Sequence, residues 1–404
     1  MAWKAGKTWK AGKTGRAWKT GRGMHVDSEL ATAVVDLRAI ADNLDAIAAV
    51  AGTELMAVVK ADAFGHGAVP VARTALASGA TWLGVTSAAE ALALRSAGIA
   101  APILSWLHRP DADFGPLIVA DVDIGVSTLR HLRSVARSAV EVGTPATVQL
   151  KVDTGLSRNG ASAEDWTDLV SWAAKYQAEG TVRVRGIWSH LADADQPGRP
   201  AFAGQRSAFD EAVRVASAMG LKPDLVHLAN SAAALAEPQA RFDLCRIGLA
   251  MYGVDPFGAI GPGRFGLRPA MTLQSSVINV KRVPAGTGVS YGPDHVTSRR
   301  TTLALVPVGY ADGLSRTAEG RAHLWLGGRR HPIVGRIAMD QCVVDVGDEP
   351  VRLGDPVTVF GSGNTDGGDP AEPTVAEWAR WADTAPQGIL TAIGPRVRRR
   401  YQQR

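Results

Sequence analysis

Short apolar runs rich in β-branched residues recur eight times between residue 56 and about residue 253, and stretches with helical character separate them. The runs are MAVVK (56–60), WLGVT (82–86), PILSW (102–106), DIGVS (123–127), ATVQLKVD (146–153), VRVRGIWSH (182–190), LVHLAN (225–230) and CRIGLAMYG (245–253). Strands that alternate with helices indicate repeated βαβ units and a parallel sheet. Eight such units favour an α/β fold with a closed (β/α)8 barrel of the TIM type over an open, doubly wound sheet.

The pattern changes after about residue 270, where alternating strands are broken by Gly and Pro. These strands lie in SSVINVKRVPAG, TTLALVPVGYADG, HLWLGGRRHPIVGRIAMDQCVVDVG and DPVTVFG, and only AEPTVAEWARWA (371–382) has helical character. We therefore expect a barrel domain over 24–270 and a mainly β C-terminal domain over 271–404. A first strand at about 31–36 is expected to pack on the C-terminal domain.

The net charge of +5 over 404 residues comes from a basic tail. Residues 1–23 carry seven Lys and Arg, one at every third position, and no acid, which leaves 37 basic and 39 acidic side chains in the body. The tail repeats WKAGKT, matches no helical or strand period and is predicted to be disordered. Its alternating Trp and Lys are compatible with nucleic-acid binding. We favour instead a repeat upstream of a true start at Met24, and expect no nucleic-acid partner.

The chain has two cysteines, Cys245 and Cys342, whose spacing suggests neither a zinc site nor a disulfide framework. No apolar run approaches the roughly 20 residues of a membrane-spanning helix, and no signal-peptide core follows the basic N-terminus. We expect a protein of the reducing cytoplasm that needs no metal and no membrane.

In a (β/α)8 barrel the chemistry lies at the carboxyl ends of the strands. That position selects eight residues, namely Lys60, Lys151, Arg158, His190, Asn230, Ser231, Arg246 and Gly248. Lys60 ends an apolar strand, and a lysine desolvated there has a lowered pKa and reacts readily with an aldehyde. Taken alone, it is equally well explained as a lysine at the barrel rim with its charged end in solvent.

Ser231 and Gly248 follow the seventh and eighth strands, where barrels commonly bind phosphate through backbone N–H groups. Alone, Ser231 is equally well explained as a helix N-cap. A reactive lysine and a phosphate-binding loop at one barrel mouth together indicate pyridoxal 5′-phosphate (PLP).

The motifs that carry these residues resemble those of the alanine racemase family, from about Asp36 to Arg400. AVVKADAFGHG resembles the family's PLP-lysine motif and KVDTGLSRNG its substrate-arginine motif. They are followed in the family's order by HLANSAAAL, CRIGLAMYG, VSYG, GYADG and GRIAMDQ. Each string alone is a weak signal, but seven in order are a specific one.

The resemblance implies a role for each site residue. Lys60 would hold PLP and act as the base for the D-amino acid, and Tyr291 would be the base for the L-amino acid, contributed by the second subunit of a head-to-tail homodimer with shared active sites. Arg158 would position the substrate or Tyr291, and Lys151 would be carbamylated and steady Arg158. The remaining implied contacts are Met339 and Asp340 at the substrate carboxylate, Ser231, Gly248 and Leu249 at the phosphate, Arg246 at the pyridine nitrogen, and His190 orienting the ring or Arg246.

Racemisation requires two bases on opposite faces of the α-carbon, with PLP as the electron sink. An arginine at the pyridine nitrogen cannot accept a proton, so the ring stays unprotonated and side reactions such as transamination are limited.

Two positions depart from the family pattern. Phe64 stands where the pattern KA[DN]xYGHG has a tyrosine that bonds the phosphate, and Gln387 stands where the family segment NYEILTRIGPRV has another. The first loss removes one hydrogen bond, about 1 kcal/mol net, so cofactor binding should weaken and survive. The smaller, polar Gln387 leaves room for a side chain larger or more polar than that of alanine.

The favoured function is the interconversion of L- and D-alanine, which supplies D-alanine for peptidoglycan. A racemase for serine or for a broad range of amino acids is the alternative within enzymes. PLP-dependent decarboxylases and D-threonine aldolases fit less well, because they do not explain Arg246 and Tyr291 together. A PLP-binding protein without turnover, tethered to nucleic acid by its tail, is the alternative outside enzymes.

Overall fold

The structure is a computed structural model that describes residues 29–196, 199–258, 265–363 and 371–403. The predicted disordered tail over 1–23 and the proposed start at Met24 lie outside the described residues. The strands are β1 (Ala31–Asp36), β2 (Glu54–Val58), β3 (Trp82–Val85), β4 (Ile103–Ser105), β5 (Asp123–Val126), β6 (Ala146–Lys151), β7 (Val182–Trp188), β8 (Leu225–His227), β9 (Leu244–Ile247), β10 (Met271–Ser276), β11 (Asn279–Val283), β12 (Gly288–Val289), β13 (His295–Val296), β14 (Thr301–Val306), β15 (His323–Leu326), β16 (Arg329–Pro332), β17 (Cys342–Gly347), β18 (Pro356–Phe360) and β19 (Arg398–Gln402).

The helical segments are α1 (Leu37–Ala51), the short turn α2 (Lys60–Phe64), α3 (Ala68–Ala77), α4 (Ala88–Ser96), α5 (Gly115–Val119), α6 (Leu129–Val142), α7 (Ala163–Ala178), α8 (Pro200–Ala218), α9 (Ser231–Ala236), α10 (Val375–Trp381) and α11 (Pro386–Ala392). Among the residues that the structure describes, 3₁₀ segments occur at Pro238–Ala240, Leu249–Tyr252 and Arg316–Ala318. Within the described ranges, no helix is long and apolar enough to cross a membrane.

Strands β2 to β9 form one parallel barrel. Its order is β8-β7-β6-β5-β4-β3-β2-β9. Two backbone hydrogen bonds join the segments of the two edge strands, β8 and β9. One runs from Asp243 N–H to the Val226 carbonyl (3.1 Å) and the other from Arg246 N–H to the Ala229 carbonyl (3.0 Å). All eight predicted barrel strands are present, and the predicted (β/α)8 architecture is confirmed.

The helices around the barrel begin and end where local sequence dictates. The Asp36 side chain accepts a hydrogen bond from Ala39 N–H and caps α1, which ends at Gly52 with φ of 64°. Thr128 caps α6 in the same way, and Gly143 ends that helix with φ of 75°. These caps fix the lengths of the helices that cover the sheet.

The barrel interior is packed rather than open, and large apolar side chains fill one part of it. The buried side chains there are Met56, Trp82, Leu104, Trp188, Leu225 and Leu244, with Trp106 packed against them. Because the interior is filled, a ligand can bind only at an end of the barrel, and in this fold the binding site lies at the carboxyl end.

The last third of the chain forms the predicted mainly β structure. A six-stranded sheet has the order β16-β15-β18-β10-β1-β19, and a three-stranded sheet has the order β11-β14-β17. Strand β1 lies inside the six-stranded sheet, antiparallel to β10 and parallel to β19.

The expectation that only residues 371–382 are helical in this region is wrong. A second helix, α11, begins at Pro386, which suits the first turn of a helix because its missing N–H would have no intrahelical partner. The helix has only seven residues and includes Gly388, so the sequence carried no clear helical period.

Candidate functional site

A cavity of about 680 Å³ opens at the carboxyl ends of the barrel strands. Many of the residues that the sequence selected share its lining, namely Lys60, Phe64, His190, Asn230, Ser231, Arg246, Gly248, Leu249 and Gln387. Lys151, Arg158, Tyr291, Met339 and Asp340 are not part of that lining. The cavity therefore brings together one part of the predicted site.

Lys60 lies at the start of a left-handed turn, two residues beyond the end of β2 at Val58. Four consecutive non-glycine residues in α2, Ala61 to Phe64, have φ between 51° and 55°. L-residues in this conformation cost roughly 1–2 kcal/mol each, so the neighbouring structure must hold the turn. The sequence predicted a strand that continued to Lys60; the strand instead stops short, and the turn presents the lysine to the cavity.

Three side chains outside the strand hold this turn. Glu90 accepts a hydrogen bond from Ala61 N–H (2.6 Å). His66 Nδ1 lies 2.9 Å from the Ala63 carbonyl oxygen, and Arg399 donates to the Gly65 carbonyl (2.9 Å). Conformational strain of this kind is maintained only where surrounding contacts over-determine it.

The amine of Lys60 is partly desolvated. Burial lowers its pKa, the positive charge of Arg158 lowers it further, and the carboxylate of Glu90 raises it. The Nζ atom lies 6.0 Å from the ring centroid of Trp106. A larger neutral fraction makes this amine a better nucleophile and proton acceptor than a solvent-exposed lysine.

The Ser231 hydroxyl accepts hydrogen bonds from Gly248 N–H (3.0 Å) and Ala250 N–H (3.4 Å). The N-cap of α9 is Asn230, whose side chain accepts from Ala233 N–H (3.0 Å). The alternative explanation of Ser231 as the N-cap is therefore wrong. Its hydroxyl links the loop after β9 to the start of α9, at the cavity wall.

Phe64 closes the same wall of the cavity. Its ring centroid lies 4.8 Å from that of Tyr252, whose hydroxyl donates to the Val58 carbonyl (2.9 Å). A Cβ atom at Gly248 would lie 3.3 Å from Phe64 Cζ, so glycine there keeps the loop close to the ring.

Arg246 is the most extensively bonded side chain of the site. Its guanidinium donates to the carbonyls of Ser189 (2.7 Å), Leu228 (2.9 Å) and His227 (3.2 Å). It also contacts the Nδ1 atoms of His227 (3.1 Å) and His190 (3.2 Å). Burial lowers its pKa to about 10, so the group remains a cation at neutral pH.

Both histidines beside Arg246 are neutral. Burial, and then the charge of Arg246, holds the pKa of His190 and of His227 well below the ordinary value. The sequence singled out His190 alone. His227 is the last residue of β8, and its place at a strand end was the signal that could have identified it.

Lys151 is the final residue of β6 and is buried. Its Nζ lies 4.4 Å from the ring centroid of Trp188. Burial lowers its pKa to about 8, and the charges of Arg246 and Arg158 contribute further. Both arginines therefore lie near this lysine, although Arg158 itself is exposed.

The loop that carries Arg158 is ordered by a single carboxylate. Asp153 Oδ1 accepts hydrogen bonds from the N–H groups of Gly155 (2.9 Å), Leu156 (3.0 Å) and Ser157 (3.1 Å). Ser157 has φ of 55° as a result of this tight turn. The turn fixes the backbone directly before Arg158.

The second group of predicted site residues, Tyr291, Met339 and Asp340, lies outside the cavity lining, in the C-terminal part of the chain. Tyr291 is 71% exposed and Met339 is 52% exposed. Asp340 Oδ1 accepts a hydrogen bond from Arg396 Nη1 (2.7 Å). A single copy of the chain thus leaves Tyr291 and Met339 largely open to solvent.

Comparison with known proteins relates both groups to one family. A family model described as alanine racemase, N-terminal domain, matches residues 35–256, and one described as alanine racemase, C-terminal domain, matches residues 270–401. An alanine racemase of Frankia casuarinae is 50% identical over 371 residues, covering 91% of this chain and 95% of the relative. One of Thermobifida fusca is 47% identical over 375 residues, covering 93% and 98%.

A solved structure shows the same similarity to alanine racemases. The crystal structure of alanine racemase from D-cycloserine-producing Streptomyces lavendulae superposes with a TM-score of 0.89 at 46% identity, covering 93% of this chain and 97% of that one. The matches to both family models and to full-length relatives establish that this chain belongs to the alanine racemase family.

Proposed function

We propose that this protein is a PLP-dependent racemase that interconverts L-alanine and D-alanine and supplies D-alanine for peptidoglycan. The observation that carries the proposal is that Lys60, with its lowered pKa, shares one cavity with Ser231 and Arg246. Relatives that are 47–50% identical over most of the chain bear the name alanine racemase.

The cavity offers a suitable partner to each polar part of PLP. The Lys60 amine matches the aldehyde carbon, and the Arg246 guanidinium matches the ring nitrogen. The Ser231 hydroxyl and the Leu249 N–H match the phosphate, and the Gly248 N–H, which donates to Ser231 here, would turn to the phosphate when it binds. Glycine at 248 keeps that loop free of a side chain. When bound, PLP supplies the electron withdrawal that makes the α-hydrogen of an amino acid acidic.

Arg246 sets how strongly the ring withdraws electrons. A guanidinium only donates hydrogen bonds, and this one stays charged at neutral pH. Arg246 would therefore donate a hydrogen bond to the ring nitrogen of PLP and no proton. The milder electron withdrawal that results would favour return of the proton to the α-carbon over transamination.

Lys60 and Tyr291 are the two proposed bases. The Lys60 amine removes and returns the α-proton on the face used by the D-amino acid, and the Tyr291 hydroxyl does so on the opposite face. Since Tyr291 is exposed and outside the cavity of its own chain, a second copy must bring it to the site. We therefore propose a head-to-tail homodimer with shared active sites.

Charged residues around the cavity bind the substrate. The charge of Arg158 acts on the pKa of both Lys60 and Lys151, which indicates that it lies near both amines. A guanidinium there suits the substrate carboxylate or the hydroxyl of Tyr291. In the dimer, Met339 and Asp340 line the carboxylate end of the pocket.

A wider substrate range is favoured by one observation. Gln387 lines the cavity at a position where the family pattern has tyrosine, so more room is left beside the substrate. Rates on L-alanine, L-serine and L-lysine distinguish the two possibilities. A clear preference for serine or lysine would replace alanine as the substrate.

We further propose a cytoplasmic enzyme. Both cysteines, Cys245 and Cys342, are unpaired and buried, and burial raises the pKa of their thiols to about 11 and about 12. Such thiols are poorly reactive and suit a reducing compartment.

The central test is exchange of the α-hydrogen in deuterated solvent. With added PLP, both L- and D-alanine should exchange and racemise, whereas Lys60→Ala should lose racemisation, exchange from D-alanine and the absorbance band of the bound cofactor. Exchange from D-alanine that persists in Lys60→Ala would contradict the role of Lys60. A wild-type protein that binds PLP but exchanges neither isomer would favour a non-catalytic PLP-binding protein.

A further inference from the structure

We propose that Asp123 and Gln149, two buried residues beneath the cavity, are positioning residues that act on Arg246 through His227. The contribution to catalysis rests on the proposed racemase function, whereas the hydrogen-bond arrangement does not.

The four residues form an unbroken chain of hydrogen bonds across the barrel interior. Gln149 Nε2 donates to Asp123 Oδ2 (2.8 Å), and His227 Nε2 lies 2.7 Å from Gln149 Oε1. His227 Nδ1 lies 3.1 Å from Arg246 Nη1. The Asp123 carboxylate is held in turn by Arg185, whose Nη1 donates to Oδ1 (2.8 Å).

The chemistry of the two ends fixes the direction of every bond between them. The Arg246 guanidinium only donates, so His227 Nδ1 must be the unprotonated nitrogen. In a neutral imidazole the proton then lies on Nε2, which donates to Gln149 Oε1. The Gln149 amide must therefore turn its NH₂ towards Asp123, whose carboxylate only accepts.

The neutral state of His227 and the ionised state of Asp123 are both consistent with the surroundings. Burial and the charge of Arg246 hold the pKa of His227 far below its ordinary value. Burial raises the pKa of Asp123 to about 6, and the charge of Arg185 and the Gln149 hydrogen bond oppose that rise. At pH 7.5 the carboxylate is thus the main form.

The barrel interior leaves space for these hydrogen-bonded side chains. Asp123, Gln149 and His227 are each at most 1% exposed, in strands otherwise lined by apolar residues. Gly186 pairs with Gln149 in the neighbouring strand, and a Cβ there would lie 2.9 Å from Gln149 Oε1. The missing side chain at position 186 makes the space that the amide occupies.

A buried series of hydrogen bonds of this kind holds the group at its end, here the Arg246 guanidinium, in one position. Without Gln149 as an acceptor, the His227 proton is free to move to Nδ1, where an N–H would face the guanidinium of Arg246. Two donors cannot bond each other, so Arg246 would lose one of its contacts and shift. Asp123 therefore controls, from the far end of this series of hydrogen bonds, which nitrogen of His227 carries the proton.

The pair of variants Asp123→Asn and Asp123→Asn/Gln149→Glu tests this directly. In the single variant, the carbonyl of the new amide at position 123 faces Arg185 and its NH₂ faces Gln149, which must turn round and present its own NH₂ to His227. In the double variant, a carboxylate at position 149 accepts from both the amide at position 123 and His227 Nε2. The direction of the hydrogen bonds is then restored, and the total charge is the same as in the wild type.

The readout is nitrogen-15 NMR of the holoenzyme labelled with [¹⁵N]histidine at pH 7.5, with the His227 signals identified by their loss in His227→Gln. We expect a protonated Nε2 and an unprotonated Nδ1 in the wild type. We expect the reverse or a mixture in Asp123→Asn, and the wild-type pattern in the double variant. In alanine racemisation, kcat should fall about tenfold in the single variant with little change in KM, and recover in the double variant.

Ser105→Ala is the matched control, since it removes a buried hydroxyl that makes no hydrogen bond to the four residues or to any other described residue. It should leave both kcat and the His227 signals unchanged. An unaltered His227 pattern in Asp123→Asn, or a double variant no better than the single one, would overturn the proposal. If the wild type failed to racemise alanine, the proposed function would fail while the nitrogen signals would still decide the hydrogen-bond arrangement.

Discussion

The ring of Phe64 packs against the ring of Tyr252 at a centroid distance of 4.8 Å, at the wall of the cavity. Phe64→Tyr would add a hydroxyl where the family pattern has one. We expect PLP to bind about fivefold more tightly, corresponding to about 1 kcal/mol for one additional hydrogen bond. Titration of apoenzyme with PLP, followed by absorbance, measures the change. Phe64→Leu is the control and should bring no gain; an equal gain there would contradict the prediction.

Tyr291→Phe separates the two proposed bases. We expect racemisation to fall by about 10³-fold in both directions, because one proton-transfer group is lost. The α-hydrogen of D-alanine should still exchange with deuterated solvent, since Lys60 is intact. Loss of exchange from both isomers would be inconsistent with two separate bases.

The same variant tests the shared active site. Mixing inactive Lys60→Ala subunits with inactive Tyr291→Phe subunits should restore activity, because a mixed dimer combines Lys60 of one subunit with Tyr291 of the other in one of its two sites. If activity does not recover after subunit exchange has been verified, Tyr291 is not donated from one subunit to the site of the other.

Lys151 should carry a carbamate. Its pKa of about 8 leaves roughly a tenth of the amine neutral at pH 7, and only the neutral form reacts with carbon dioxide. The charges of Arg246 and Arg158, which lower this pKa, would also stabilise the resulting anion. In ¹³C-bicarbonate, NMR should detect a carbamate carbon that Lys151→Gln lacks and that weakens from pH 8 to pH 6. A signal retained in Lys151→Gln would assign the modification to another residue.

His131 should make the fold sensitive to acid. It is buried beside Phe114, with ring centroids 5.1 Å apart, and burial lowers its pKa from 6.5 to about 4. Between those values the unfolded chain binds a proton that the folded chain does not, so stability falls as pH decreases. Between pH 7.5 and pH 5 the ionisation of His131 should cost the wild type on the order of 2 kcal/mol of unfolding free energy. His131→Phe should not show this loss.

Urea unfolding at pH 7.5 and pH 5 measures this effect. Within the described part of the chain, His131 Nε2 has no hydrogen-bond partner, so phenylalanine gives up no bond at that atom. Parallel pH dependence for wild type and variant would show that another group is responsible.

Much of the fold could be predicted because the barrel strands are short apolar runs separated by helical segments. The strand ends then selected Lys60, Ser231 and Arg246, which do share the cavity. Ordinary periodicity was sufficient here because every barrel strand is covered by helices on its outer side.

The features that could not be predicted from the sequence depend on contacts between residues that are distant in sequence. The left-handed turn over 61–64 contains no glycine, and its conformation is maintained by Glu90, His66 and Arg399. The meeting of Asp123 with Gln149 depends on the stagger of strands around the barrel, which no strand's own pattern encodes. Strand β19 is rich in arginine and becomes a strand only by pairing with β1.

The placement of β1 has a consequence for synthesis of the protein. Thr32 pairs with Arg398, so this strand leaves the ribosome more than 350 residues before its β19 neighbour has been translated. Until then β1 presents open N–H and C=O groups, the kind of edge along which nascent chains associate. The barrel strands can assemble while the chain is still growing, but the six-stranded sheet that contains β1 is completed only after β19 has been translated.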